Sequence, residues 1–90
     1  MERFIVFHTV ASSANQDDVW EIFHKLATRT ARGAKWLRSY FLPDKMEMIC
    51  DWEAPDEAAI RESLEIAGAV DKAPIKSVHL AIYADPGFFK

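Results

Sequence analysis

Hydrophobic side chains recur along the chain with two different periods, and the switches between them mark out the elements. From Arg3 to Val10 nearly every position is apolar or β-branched on both parities, which predicts a strand covered on two faces in the middle of a sheet. Ala11 to Asn15 is small and polar, and Asn15 followed at the third position by Asp18 has the spacing of a capping box that opens a helix. Val19, Ile22, Phe23, Leu26 and Ala27 then recur at helical spacing. A first helix is therefore predicted from about Gln16 to Arg32, closed by Gly33 as a left-handed cap.

Trp36 to Leu42 is rich in aromatics, Pro43-Asp44-Lys45 is turn chemistry, and Met46 to Ala54 alternates strongly, so the two runs read as a hairpin. Pro55, the acids Asp56 and Glu57, and an apolar stripe of Ala59, Ile60, Leu64 and Ala67 predict a second helix closed by Gly68. After the break at Pro74, Ser77 to Ala84 alternates as a last strand. The order strand, helix, strand, strand, helix, strand is the split βαβ, ferredoxin-like α+β pattern. Right-handed crossovers place its strands 4-1-3-2 in an antiparallel sheet with both helices on one face. Residues 1–90 read as a single domain, with a tail from residue 84 that carries Phe88 and Phe89.

Strands alternate faces, so the more apolar parity of each belongs under the helices. In the third strand Met46, Met48, Cys50 and Trp52 go inward and Glu47, Ile49, Asp51 and Glu53 outward. In the last, Val78, Leu80 and Ile82 go inward and His79, Ala81 and Tyr83 outward. The second strand puts Leu37, Ser39 and Phe41 inward and Trp36, Arg38 and Tyr40 outward, because an arginine is rarely buried without a partner. Both parities of the first strand are apolar. Turning Ile5, Phe7 and Thr9 inward sets His8 beside the other ionisable groups, with Phe4, Val6 and Val10 around it. The expected open face is a polar centre of His79, His8, Asp51, Glu53, Arg38 and Tyr40 ringed by Phe4, Val6, Ile49 and Trp36. Such an apolar ring predicts a second copy laid sheet on sheet around a polar cavity.

Length and composition sharpen this. Ninety residues make a small core that gains from burial against a partner, and half of them are hydrophobic, which excludes a disordered chain. A net charge of −3 with no Lys/Arg stripe excludes nucleic acid and anionic membranes as partners. One cysteine, Cys50, allows no intrachain disulfide, and the start is too short an apolar run for a signal or membrane segment, so a reducing, cytoplasmic setting is expected.

Trp36-Leu37-Arg38-Ser39-Tyr40, Cys50-Asp51-Trp52-Glu53-Ala54-Pro55-Asp56-Glu57, Ile60-Arg61-Glu62 and Ala67-Gly68 together resemble the nickel-responsive, ferredoxin-like small proteins long catalogued as a domain of unknown function. The resemblance runs from the first strand to the last. It implies a homodimeric α/β-barrel and, in at least one branch, nickel binding, without implying a shared activity.

Three chemistries remain on the residues themselves. His8, His79 and Asp51 offer two imidazoles and a carboxylate from three strands, a set suited to nickel, zinc or another divalent metal, against the alternative of histidines hydrogen-bonded in an interface. Arg38 and Tyr40, with Trp36 and Glu53 beside them, could orient an anionic or carbonyl ligand, against the alternative of an ion pair from Arg38 to Asp51 or Glu53. The same cavity could run cofactor-free acid–base chemistry of the isomerase or monooxygenase type on a small, partly apolar substrate, with His8 or His79 as base. Cys50 reads as a small buried hydrophobe, and Trp20 with His24 as an exposed patch. No phosphate-cradling loop, nucleophile elbow or dinucleotide fingerprint is visible, so no organic cofactor is expected.

Overall fold

A computed structural model describes residues 1–90. The elements are β1 (Glu2–Thr9), α1 (Gln16–Thr28), β2 (Lys35–Leu42), β3 (Glu47–Ala54), α2 (Glu57–Ile66) and β4 (Ile75–Leu80), followed by a 3₁₀ turn at Pro86–Phe89. The architecture is α+β, with the two helices on one face of a four-stranded antiparallel sheet. The sheet order is β2-β3-β1-β4, which from the other edge reads β4-β1-β3-β2. No helix is long and apolar enough to cross a membrane.

Local chemistry accounts for the helix ends. The Asn15 side chain accepts from the Asp18 N–H while the Asp18 carboxylate accepts from the Asn15 N–H, both at 3.0 Å, so two otherwise orphaned donors are satisfied reciprocally. Asp56 caps α2 by accepting from the Ala59 N–H at 2.8 Å. Gly68, at φ +70°, turns the chain out of α2 while the Ala69 N–H reaches back to the Leu64 carbonyl at 2.9 Å. α1 ends four residues before Arg32, because a long-range contact captures the chain: buried Ser63 on α2 accepts from the Ala31 N–H at 2.9 Å. Gly33, at φ +77°, serves the turn into β2 instead of a helix cap.

Eighteen buried residues form one core between helices and sheet, among them Val19, Ile22 and Leu26 of α1, Ile60 and Leu64 of α2, and Met48, Cys50 and Trp52 of β3. β3 alternates buried and half-buried as its sequence does.

That alternation fixes β1 and reverses the expected parity. Val6 stands opposite Cys50, Phe4 opposite Trp52 and His8 opposite Met48. Cross-strand partners share a face, so Phe4, Val6, His8 and Val10 lie under the helices while Ile5, Phe7 and Thr9 face outward.

Trp36 is also reversed. A β-bulge between Trp36 and Arg38 puts Trp36 opposite Trp52, on the helix side, and Arg38 opposite Asp51, on the other. Phe23 of α1 stacks on the Trp36 ring at 5.4 Å between centroids and 14° between planes.

β4 is shorter than its alternation, Leu80 being its last residue. β1 supplies only one further bond, from the Ala81 N–H to the Arg3 carbonyl at 2.9 Å. Ile82, expected under the helices, is fully exposed beyond the end of their cover.

Candidate functional site

The face turned away from the helices carries Arg3, Ile5 and Phe7 from β1, Ile49, Asp51 and Glu53 from β3, Arg38 and Tyr40 from β2, and Ser77 and His79 from β4. Its centre is electrostatic. Arg3 donates from Nε to Asp51 Oδ1 and from a terminal nitrogen to Asp51 Oδ2, each at 2.7 Å. This two-limbed hydrogen bond raises the Arg3 pKa above its ordinary value. Arg38 approaches the same carboxylate from the other side, with Nε 3.7 Å from Oδ2, an ion pair beyond hydrogen-bond distance.

The C-terminal segment completes this centre. The Arg3 guanidinium sits 4.1 Å from the centre of the Tyr83 ring, a cation–π contact, and that of Arg38 sits 5.9 Å from it. The Tyr83 hydroxyl donates to Asp85, which raises the phenol's pKa and lowers the carboxyl's. Asp85 also accepts from the Gly87 N–H at 2.7 Å, and Phe88 meets the Tyr83 ring edge-on at 5.6 Å. Towards the β4 edge, Phe7 meets the His79 ring edge-on at 5.5 Å, and His79 Nε2 lies 3.0 Å from Ser77 Oγ. Tyr40 is largely exposed and Glu53 is half-buried.

Two expected site residues belong elsewhere. His8 is 1 % exposed, and its Nδ1–H donates to the Ala73 carbonyl at 2.8 Å while Nε2 has no partner. Burial lowers its pKa, so the imidazole is held neutral. Trp36 donates from its ring N–H to Ser39 Oγ, which donates to Cys50 Sγ, each at 2.8 Å. Burial pushes the Cys50 thiol up to about 12, consistent with a thiol that is packing and not reactive.

Of the donor set His8, His79 and Asp51, the structure therefore brings no two together for a metal. His8 and His79 lie on opposite faces, and both Asp51 oxygens are engaged by Arg3. No group of three or more His, Cys, Asp or Glu side chains converges anywhere in the chain. The side chains of a single chain do not fit a nickel site.

Sequence reasoning missed Arg3; it set Tyr83 outward, where the structure has it, but as a strand residue, whereas it lies beyond the end of β4 and rests on Arg3. Arg3 had a readable signal, since it is the one cation in β1 and the neighbouring strand carries two outward acids, Asp51 and Glu53.

A helix-backed, four-stranded antiparallel sheet with a charged centre on its free face defines a small α+β protein. The chain belongs to the SCO4226-like nickel responsive protein family, whose model matches residues 4–79, from β1 to the penultimate residue of β4. No curated protein matches the chain significantly.

Proposed function

We propose that this chain is a ferredoxin-like, homodimeric α/β-barrel binding protein, in which two free sheet faces meet around a small ligand. The observation that carries this reading is that face itself, where Ile5, Phe7 and Ile49 border the partly buried Arg3–Asp51 pair without any cover from the chain's own helices. All three surface clefts of the single chain lie on the helix side, lined by residues of the helices and their flanks with Trp36 of β2 and Ile75 of β4, and none by the free face. An enclosed cavity there needs a second copy. Multi-angle light scattering at low micromolar concentration should return a dimer, and the thermal midpoint should rise with protein concentration. A monomeric mass at every concentration would remove the reading.

Family membership favours a second version, in which the ligand is nickel or a similar divalent metal. Glu53, in no ion pair, and His79, held only by Ser77, are the donors left on the face, so a full ligand set takes side chains from both copies. Calorimetric titration of the apo-protein with nickel should then give saturable heat, at one metal per two chains for a site on the dimer's two-fold axis and one per chain for a pair of sites off it, and no heat above buffer would defeat it. The acid–base enzyme alternative loses His8 as a base, because that ring lies in the core, and rests on His79.

A further inference from the structure

The C-terminal segment is ordered within itself and barely tied to the sheet. After the bond from the Ala81 N–H to the Arg3 carbonyl at 2.9 Å, no backbone hydrogen bond joins residues 82–90 to a strand or helix. Inside the segment the contacts close on one another. Asp85 accepts from the Tyr83 hydroxyl and the Gly87 N–H, the Phe88 N–H returns to the Asp85 carbonyl at 3.0 Å, and Phe88 meets the Tyr83 ring edge-on. Tyr83, Asp85 and Phe88 therefore form one small unit hinged after Ala81.

That unit rests on the charged centre of the free face. The Tyr83 ring covers the Arg3 guanidinium at 4.1 Å, and Arg38 reaches to 5.9 Å from the same ring. The Tyr83 hydroxyl and the Gly87 and Phe88 N–H groups hold the Asp85 carboxyl low, and the charge of Arg38 adds to their effect. The apolar side chains of the segment contribute little to its seating, since Ile82, Phe88 and Phe89 are 100 %, 62 % and 81 % exposed. A second sheet laid on this face sits about 10 Å away, a gap filled by the side chains of the two faces. Over Arg3 the Tyr83 ring and the turn behind it add a third layer, for which that gap has no room.

Resting on the homodimer reading of the face, we propose that residues 82–90 are an autoinhibitory strap: seated, the strap closes Tyr83 over Arg3 and bars a second copy, and it must swing off both faces before they meet.

A cation–π contact of this kind favours the closed strap by about fivefold. Each dimer releases two straps, so abolishing the contact tightens the dimer by the square of that ratio, about twenty-fivefold.

Two measurements on the full chain, with Tyr83→Ala and Tyr83→Phe beside wild type, test this. In the first, at concentrations below the dimer dissociation constant, modification of Arg3 by phenylglyoxal is followed by mass spectrometry, with exposed Arg29, beyond the end of α1, as the internal reference. The ratio of the Arg3 rate to the Arg29 rate should rise about fivefold in Tyr83→Ala and less in Tyr83→Phe, which keeps the ring. An unchanged ratio overturns the strap. In the second, dimer dissociation constants are compared: Tyr83→Ala should be tighter than wild type by about twenty-fivefold and Tyr83→Phe should lie between them. An unchanged dimer in Tyr83→Ala overturns the inhibition, and so does a weaker one, which would make the segment part of the interface. A chain that is monomeric at every concentration overturns the homodimer reading and the inhibition together, and the phenylglyoxal ratio still decides whether the strap covers Arg3.

Discussion

Arg3 and Asp51 sit on neighbouring strands but not opposite each other: Arg3 pairs with Glu53 and Asp51 with Ile5, so the guanidinium crosses the sheet diagonally to reach the carboxylate. Both side chains are mostly shielded, at 18 % and 12 % exposure, which separates this pair from the solvated surface pairs that contribute little. Removing one partner leaves a charge that keeps only part of its solvent. Asp51→Asn is expected to lower unfolding stability by about 2 kcal/mol in urea at fixed protein concentration, and Arg3→Gln by a similar amount. A double-mutant cycle should return a coupling of about 1–3 kcal/mol, and additive effects would show that the pair is incidental.

His8 makes stability depend on pH. Its folded pKa lies below the unfolded value because burial disfavours the imidazolium and Nε2 has no partner to receive a second proton's donation. The unfolded chain therefore binds the proton more readily. Stability from this group is complete above the unfolded pKa of about 6.5 and declines as pH falls from there towards the folded pKa. Asp18 and Asp85, held low chiefly by Lys72 and by Tyr83 respectively, give up their contributions only at more acid pH, below the ordinary carboxylate value. The urea midpoint should thus fall between about pH 6.5 and pH 5 in wild type and stay flatter in His8→Gln. An NMR titration that puts the His8 ring at or above 6.5 would contradict the burial argument.

How far the sequence specified these features depends on the range of the forces involved. The capping box at Asn15 and Asp18, the left-handed Gly68 and the alternation of β3 are set by neighbours within a few residues, and all were readable. Arg38, Tyr40, Asp51, Glu53 and His79 reach the free face because their strands keep the alternation that was read. Trp36 does not, since a bulge at Leu37 shifts the count by one, and nothing local in Lys35-Trp36-Leu37-Arg38 announces it. His8 was assigned by grouping ionisable residues, whereas register with Cys50 and Met48 decided its face and the Ala73 carbonyl made its burial tolerable. The end of α1 depends on Ser63, which lies on the other helix.

Cys50 should be chemically silent in the folded protein. Its sulfur is fully buried, it accepts from Ser39, and burial holds the thiol near 12, so almost none is thiolate at pH 8. A disulfide reagent should modify the native chain only as fast as it unfolds, and stoichiometrically in urea. Rapid native-state labelling would show that the sheet beneath Trp36 opens. Ser39→Ala, which takes the acceptor away from the Trp36 ring N–H, should cost about 1–2 kcal/mol and speed that labelling.

Tyr83 determines where the C-terminal segment rests. Beyond the Ala81 bond no strand pairing holds it, and Ile82 and Phe89 contribute almost no burial at 100 % and 81 % exposure. What remains is the aromatic ring on Arg3 and the Asp85 turn that positions it. A partly shielded cation–π contact of this kind contributes about 1 kcal/mol, so the segment should open readily and Tyr83→Ala should open it several-fold more. Limited chymotrypsin digestion reads this directly: cleavage after Phe88 or Phe89 should be faster in Tyr83→Ala than in wild type, with the sheet intact. Tyr83→Phe keeps the ring over Arg3 but loses the hydroxyl bond to Asp85, and should fall between the two. Equal rates in all three would mean that the segment is held by something other than Arg3, and a second copy covering Ile82 and Phe89 would then be the candidate, visible as protection that grows with protein concentration.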